Sequence, residues 1–344
     1  MASGQPNLST AATPHWRPAI APYQQPHLGR SMWQIINTFV PYLFLWYLMV
    51  QSLAYPYWVT LALAMVASGF LVRIFIILHD CGHGSFLRSK RASTIVGAIC
   101  GMFTLTPFQQ WRHEHALHHA TTGDLDQRGH GDVQTLTVAE YLQLSSWKRL
   151  HYRVFRHPLV LLLVGPIATF IISQRFVMPT DGPRERRSVH VTNAAIVLAS
   201  VGMSLLIGVW AYLSILLPVT LGAGAVAIWL FYCQHQFEGT YWTHHEDWDF
   251  EMAALHGSSY FRLPRVLQWF TGNIGFHHVH HLSPRIPNYH LEACHNAHPS
   301  LQAVTTLTIR SSFAAFALKL WDEERAQLVG LKAVHMAQRA NTQL

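Results

Sequence analysis

Histidine is the residue type here whose spacing could do chemistry. The chain has 24 of them, as many as lysine and arginine together, and eight fall into three boxes. His79 and His83 stand four apart, while His115, His118 and His119, and then His277, His280 and His281, stand at i, i+3, i+4. On a helix these spacings place imidazoles on one face of a turn. Neutral imidazole ligates iron, zinc, copper and nickel, so residue type alone leaves the metal open. Number says more. Structural zinc closes its shell with four ligands, so eight candidates, with His235 as a ninth, imply two metal ions. A pair of metals with an open coordination position suits oxygen activation.

The elements that must hold these boxes are apolar. Only 12% of the 344 residues are charged, about half the share usual in soluble domains. No Asp, Glu, Lys or Arg occurs from Ser31 to Val72 or from Ser188 to Phe237, and each block accommodates two helices of about 20 residues, enough to cross a bilayer. The expected spans are 36–54, 57–78, 191–213 and 216–236, with turns at Ala54-Tyr55-Pro56 and near Leu217-Pro218. Both turns are uncharged, whereas Arg88, Lys90, Arg91, Lys148, Arg149, Arg184, Arg186 and Arg187 lie outside the blocks. The positive-inside rule then sends both hairpins in and out from the cytoplasmic side, where the boxes face.

Two shorter apolar stretches, Ser93 to Trp111 and His157 to Gln174, are decided by parity. A single crossing by the first would put boxes one and two on opposite sides of the membrane. A crossing by the second would separate boxes two and three. Both are therefore expected to lie in the interface or re-enter, with Gly165-Pro166 breaking the ladder of the second. Arg73, near the inner end of a span, reads as a snorkelling side chain.

The fold class expected is an all-α integral membrane protein, four transmembrane helices in two hairpins under a cytoplasmic helical cap carrying the metal site. Residues 1–30 form a polar N-terminal segment without the pattern of a signal peptide. Residues 31–300 form the membrane domain, and 301–344 a C-terminal cytoplasmic or interfacial helix. The net charge of +7 suits anionic headgroups, and no basic stripe interleaved with aromatics points to nucleic acid. Cys81, Cys100, Cys233 and Cys294 form no CxxC pair, which suits a reducing compartment.

The boxes H-x3-H, H-x2-H-H and H-x2-H-H, divided by two hydrophobic hairpins, resemble those of the membrane fatty-acid desaturases. The likeness runs from about residue 75 to 295. It includes Trp111 before the second box, Thr121-Thr122-Gly123-Asp124-Leu125-Asp126 after it, and Gly272-Asn273-Ile274-Gly275-Phe276 before the third. Leu282-Ser283-Pro284-Arg285-Ile286-Pro287-Asn288-Tyr289 then follows. The longer pattern is similar to bacterial acyl-lipid desaturases of the Δ12 and Δ5 types. The resemblance implies two iron ions, O2 as co-substrate, an acyl chain of membrane lipid as substrate, and electrons from an external carrier of ferredoxin or cytochrome b5 type. It implies a bacterial inner-membrane enzyme that introduces a cis double bond, with the acyl chain in a dry tunnel under the cap.

The expected metal ligands are His79, His83, His115, His118, His119, His235, His277, His280 and His281. Asp80, Asp124, Asp126 and Glu238 are candidates to hold the imidazole N–H groups. Asn273 either orients a ligand or metal-bound water, or caps a turn. A hydroxylase or carotenoid ketolase of the same superfamily would share the boxes. A metal transporter or sensor would instead carry histidines within its spans.

Overall fold

The computed structural model describes residues 16–130 and 133–332. The polar start is partly wound: α1 is Trp16–Ile20, followed by a 3-10 turn, and α2 already begins at Leu28 and runs to Ser52. The first apolar block becomes α2 and α3, Trp58–His83, with the turn at residues 53–57 where expected. Next come α4, Lys90–Phe103, α5, Phe108–Thr121, α6, Val138–Gln143, and α7, Ser146–Phe155. The second block becomes α8, Pro183–Ile207, and α9, Val209–His235. The remaining helices are α10, Phe250–His256, α11, Arg265–Phe270, α12, His277–Leu282, α13, Asn288–Ala297, and α14, Ile309–Ala315. Among the described residues α2, α3, α8 and α9 are each long and apolar enough to cross a membrane.

Burial ranks these helices. In its most apolar window α3 is 61% buried, against 6% for α8. α3 is thus the central post, touching α2, α4, α5 and α9. α8 exposes Val197, Leu198, Val201, Leu205 and Leu206, a patch that water would penalise and lipid would not.

The break between α8 and α9 is at Gly208, not near Leu217-Pro218. Gly208 takes φ +87, a left-handed conformation open to glycine at little cost. Pro218 lies inside α9, where its missing N–H costs one ladder bond and the helix runs on.

The two shorter stretches do bend. α4 and α5 meet at 101° through Leu105, whose φ is +56. The pair starts at Lys90, shortly past the end of α3 at His83, and brings His119 back to His83, with ring centroids 4.7 Å apart, so it leaves and returns at the same end of α3. The second stretch, Val160–Arg175, leaves α7 at 65°. Gly165-Pro166 does not end it. The chain widens into π-helical turns over Val160–Val164 and Ile167–Ile172, with helical dihedrals at both residues between. Arg156 reaches Gln236 and Pro166 packs on Gly224. The segment therefore runs beside α9 from the level of Gln236 to that of Gly224.

Two small sheets lie outside the long helices. β1, Leu136–Thr137, pairs parallel with β4, Leu320–Asp322, which pairs antiparallel with β5, Gln327–Val329; β2, Tyr260–Phe261, pairs with β3, Thr306–Leu307. As far as residue 332, then, the C-terminal stretch is a short helix and a β-hairpin rather than one helix. The apolar pairs Leu320-Trp321 and Leu328-Val329 flank the charged turn Glu323-Glu324-Arg325 and bury against Tyr141, Tyr152 and Trp242. Residues 333–344 lie outside the described residues, as do 1–15.

Arg73 does not snorkel. It is 6% exposed, its Nε donates to Thr38 at 3.1 Å, another nitrogen donates to the Trp269 carbonyl, and its guanidinium lies 4.0 Å over the Trp269 ring. It fastens the α11 end to α2 and α3.

Candidate metal centre

The first box occupies the last turn of α3. Gly84, at φ +67, stops the helix directly after His83. The second box forms the second half of α5, and the third is α12 itself. His235 is the last residue of α9. Four helix ends or short helices thus deliver nine imidazoles to one place.

They divide into two groups. His79, His83, His115, His119 and His280 form one, and His118, His235, His277 and His281 the other; within each group the candidate ligand atoms lie within 4.8 Å of one another. The second box is split between the groups: on the one face of α5, His118 lies toward His235 and His281, while His115 and His119 lie toward His83. The groups are adjacent: the rings of His119 and His281 stack at 4.1 Å.

The donor atoms fit metal ions. Nε2 of His235 is 3.2 Å from Nε2 of His118 and 2.9 Å from that of His277, which is 3.1 Å from Nε2 of His281. In the other group His119 Nε2 lies 3.0 Å from His280 Nε2 and 3.2 Å from His115 Nε2. Two nitrogens bound at about 2.1 Å and at right angles are separated by about 3.0 Å. His235 Nδ1 donates to the Gly257 carbonyl at 3.1 Å, so its Nε2 carries a lone pair aimed inward. His83 Nε2 is buried without a hydrogen-bond partner. Convergent lone pairs in a buried place are costly unless a cation joins them.

Burial separates the groups further. All four imidazoles of the second are at most 4% exposed, as are His79 and His280, whereas His83, His115 and His119 are half-buried. Burial first, then neighbouring imidazoles, holds His277, His280 and His281 well below the ordinary histidine value. They are neutral, as ligation requires. His278 points away and pairs with His295 at 3.1 Å; burial, with His295 beside it, pushes it down to about 3.

Of the candidate carboxylates, only Asp80 touches a ligand, at 3.2 Å from His79 Nδ1. Asp124 and Asp126 hold other histidines: Asp124 pairs with His245 at 2.7 Å and Asp126 with His244 at 3.0 Å, because the turn after α5 faces the loop at 243–247. Glu238 is exposed beyond α9. Asn273 sits at φ +57 in a tight turn, its side chain accepting from Gln268 and donating to the Asn288 carbonyl. Sequence reasoning passed over the Gly257 carbonyl, which no side chain advertises, and Asn288, discussed below.

A small apolar crevice of about 20 Å³, lined by Leu71, Val72, Phe75, Phe170, Ala223 and Gly224 among others, lies between α3, α9 and the 160–175 stretch. Phe75 packs edge-on to Trp111, with centroids 5.4 Å apart, and Trp111 stacks on His115 at 4.5 Å.

A family model described as "Fatty acid desaturase" matches residues 52–312. The chain belongs to the fatty acid desaturase family. It is 45% identical over 315 residues to a protein of Bacillus subtilis named "Fatty acid desaturase", covering 92% of this chain and 90% of that one. It is 28% identical over 263 residues to the "sn-1 oleoyl-lipid 12-desaturase" of a Synechocystis strain, covering 72% and 70%. The chloroplastic "Omega-6 fatty acid desaturase" of spinach is 27% identical over 255 residues, 70% of this chain and 54% of that one. The family is one of oxidoreductases, and the desaturase carries two histidine clusters able to hold metal, each with at least one member from the end of an apolar helix, α3 or α9.

Proposed function

We propose that this desaturase introduces a cis double bond into an acyl chain of a membrane lipid, using two iron ions, O2, and electrons from an external ferredoxin or cytochrome b5 type carrier. The observation that carries the reading is the gathering of nine imidazoles into two adjacent groups. The relative named as an oleoyl-lipid desaturase supports a lipid-borne acyl substrate.

His79, His83, His115, His119 and His280 would hold one ion and His118, His235, His277 and His281 the other. When bound, the iron pair supplies the oxidising power that removes two vicinal hydrogens with O2 as oxidant. The chain's own part is placement and dryness. Trp111 and Phe75 form an aromatic wall from His115 down to the crevice, where a methylene chain would lie without water. Setting the carbon pair correctly matters because an ångström of misplacement costs on the order of a hundredfold in rate. The setting is a bacterial inner membrane, with the clusters on the cytoplasmic side, where a soluble donor meets them.

The test is the fatty-acid profile of a host expressing the wild type or His118→Ala together with a donor. A new double bond with the wild type alone supports the reading, and its position gives the regiochemistry. A hydroxylated product reassigns the chemistry within the superfamily. Iron-loaded, membrane-inserted protein that makes neither product overturns the acyl substrate.

A further inference from the structure

A buried hydrogen-bond chain joins the first box to the segment after the third. Asp80 turns Oδ1 to His79 Nδ1 at 3.2 Å. Its Oδ2 accepts from the backbone N–H of Asn288 at 2.7 Å and from the Asn288 side-chain Nδ2 at 2.8 Å. The same Nδ2 also donates to Gln34 Oε1 on α2 at 3.2 Å. The Asn288 carbonyl accepts from Asn273 Nδ2 at 3.1 Å. Gln34, Asp80 and Asn288 are each at most 3% exposed.

Asn288 is the first residue of α13, so its N–H is one of the donors that a helix leaves unpaired at its start. Asp80 satisfies it from another helix, α3. The residues from Ser283 to Pro287 link α13 to α12, and α12 supplies His280 to the ligand group that α3 supplies with His79 and His83. The register between α3 and α12 is therefore pinned through Asp80 and Asn288.

We propose that Asn288 is a positioning residue of the first metal group. It fixes the Asp80 carboxylate, and with it the His79 ring, against the segment that carries His280. Asparagine suits the position because its amide supplies two hydrogens, one for Asp80 and one for Gln34. Alanine supplies none. Aspartate would set a second carboxylate against the first. The inference rests on the reading of the nine imidazoles as ligands.

The experiment loads purified wild type, His79→Ala, Asn288→Ala and Asn288→Asp with ferrous iron. Iron per chain and the Mössbauer spectrum are then measured. Loss of a partner directly behind a ligand, here Asp80, costs about 10- to 100-fold in metal affinity, which bounds the loss from Asn288, the group that holds Asp80. Asn288→Ala is expected to move iron from two per chain toward one, with one spectral component retained, and Asn288→Asp to lose more. If Asn288→Asp does not fold, Asn288→Ser, which keeps one donor, carries the test with a smaller loss. Parallel loss of both components, or two irons with an unchanged spectrum, overturns the assignment. If His79→Ala itself keeps two irons, the ligand reading has failed. If His79→Ala loses one while Asn288→Ala loses none, only this inference has.

Discussion

His235 turns Nδ1–H to the Gly257 carbonyl at 3.1 Å and Nε2 to both His118 and His277, at 3.2 and 2.9 Å. A backbone carbonyl cannot be lost by substitution, so the tautomer of this ring is fixed by the fold. His235 is also the sole member of its group supplied by a long apolar helix. His235→Ala is expected to release one of two metal ions and to lower desaturation at least about 100-fold, the upper end of what a supporting partner alone costs. Metal analysis beside product analysis checks it. Two ions retained would remove His235 from the ligand set.

Arg156 is fully buried and donates to the carbonyls of Gln134 and Leu318, to Thr135 Oγ1, to Tyr232 OH and to Gln236 Oε1. Tyr232 and Gln236 flank His235, so this one side chain ties the outer layer to the end of α9. Replacement by methionine strands several acceptors at about 1–3 kcal/mol each, a total above about 3 kcal/mol. The expected fall in melting temperature is roughly 6 °C or more. Arg156→Lys, which keeps the charge but reaches fewer partners, should fall in between. Equal melting temperatures for all three proteins would show that the hub carries no stability.

His244 links Asp126 at 3.0 Å to Glu323 at 3.3 Å, and so the turn after α5 to the β4–β5 hairpin. The hydrogen bond to Asp126, then that to Glu323, raises its pKa above the ordinary value of 6.5. A raised histidine stabilises below its unfolded value and loses that stabilisation as pH climbs through the folded one. The hairpin should therefore be held more firmly at about pH 6 than at about pH 9. Tryptic cleavage after the exposed Arg325 reads this. The protection of wild type relative to His244→Gln should be greatest at the acid end and fade with rising pH. A ratio independent of pH would exclude the latch.

The boxes were legible because metal ligation forces both a residue type and a spacing, and helical geometry converts spacing into direction. Even His235, outside any box, stood out as a histidine ending a charge-free run. The partition of His118 from His115 and His119 was not legible, since it depends on how α5 is rotated against α9. Nor were the partners of Asp124 and Asp126, whose place after the second box suggested that they hold the N–H groups of the box imidazoles but whose turn faces His244 and His245. The α8–α9 break was misplaced because proline is a louder signal than Gly208, though an apolar helix tolerates Pro218 and only glycine takes φ +87 cheaply. Asn288 lay in the quoted motif with no role, because its partner Asp80 is 208 residues away.

Gly224 offers a test of the crevice as the acyl site. A Cβ there would meet Pro166 Cβ at 2.7 Å and Phe170 Cδ2 at 3.2 Å. The proline ring, held in a π-helical stretch, has little freedom to yield, so Phe170 must turn or the stretch must move away from α9. Overpacking of this kind costs about 1–3 kcal/mol, tolerable in a folded protein. Phe170 is one wall of the crevice, which must widen to admit a chain, and its turning inward would oppose that widening. Each methylene that loses its buried place gives up about 0.8 kcal/mol, close to a fourfold change in preference. Gly224→Ala is therefore expected to shift competition between sixteen- and eighteen-carbon acyl chains toward the shorter by about 4- to 16-fold. Leu71→Ala, which enlarges the same crevice, should shift it the other way. Product ratios from a mixed-acyl host measure both, and unchanged ratios in both variants would place the acyl chain elsewhere.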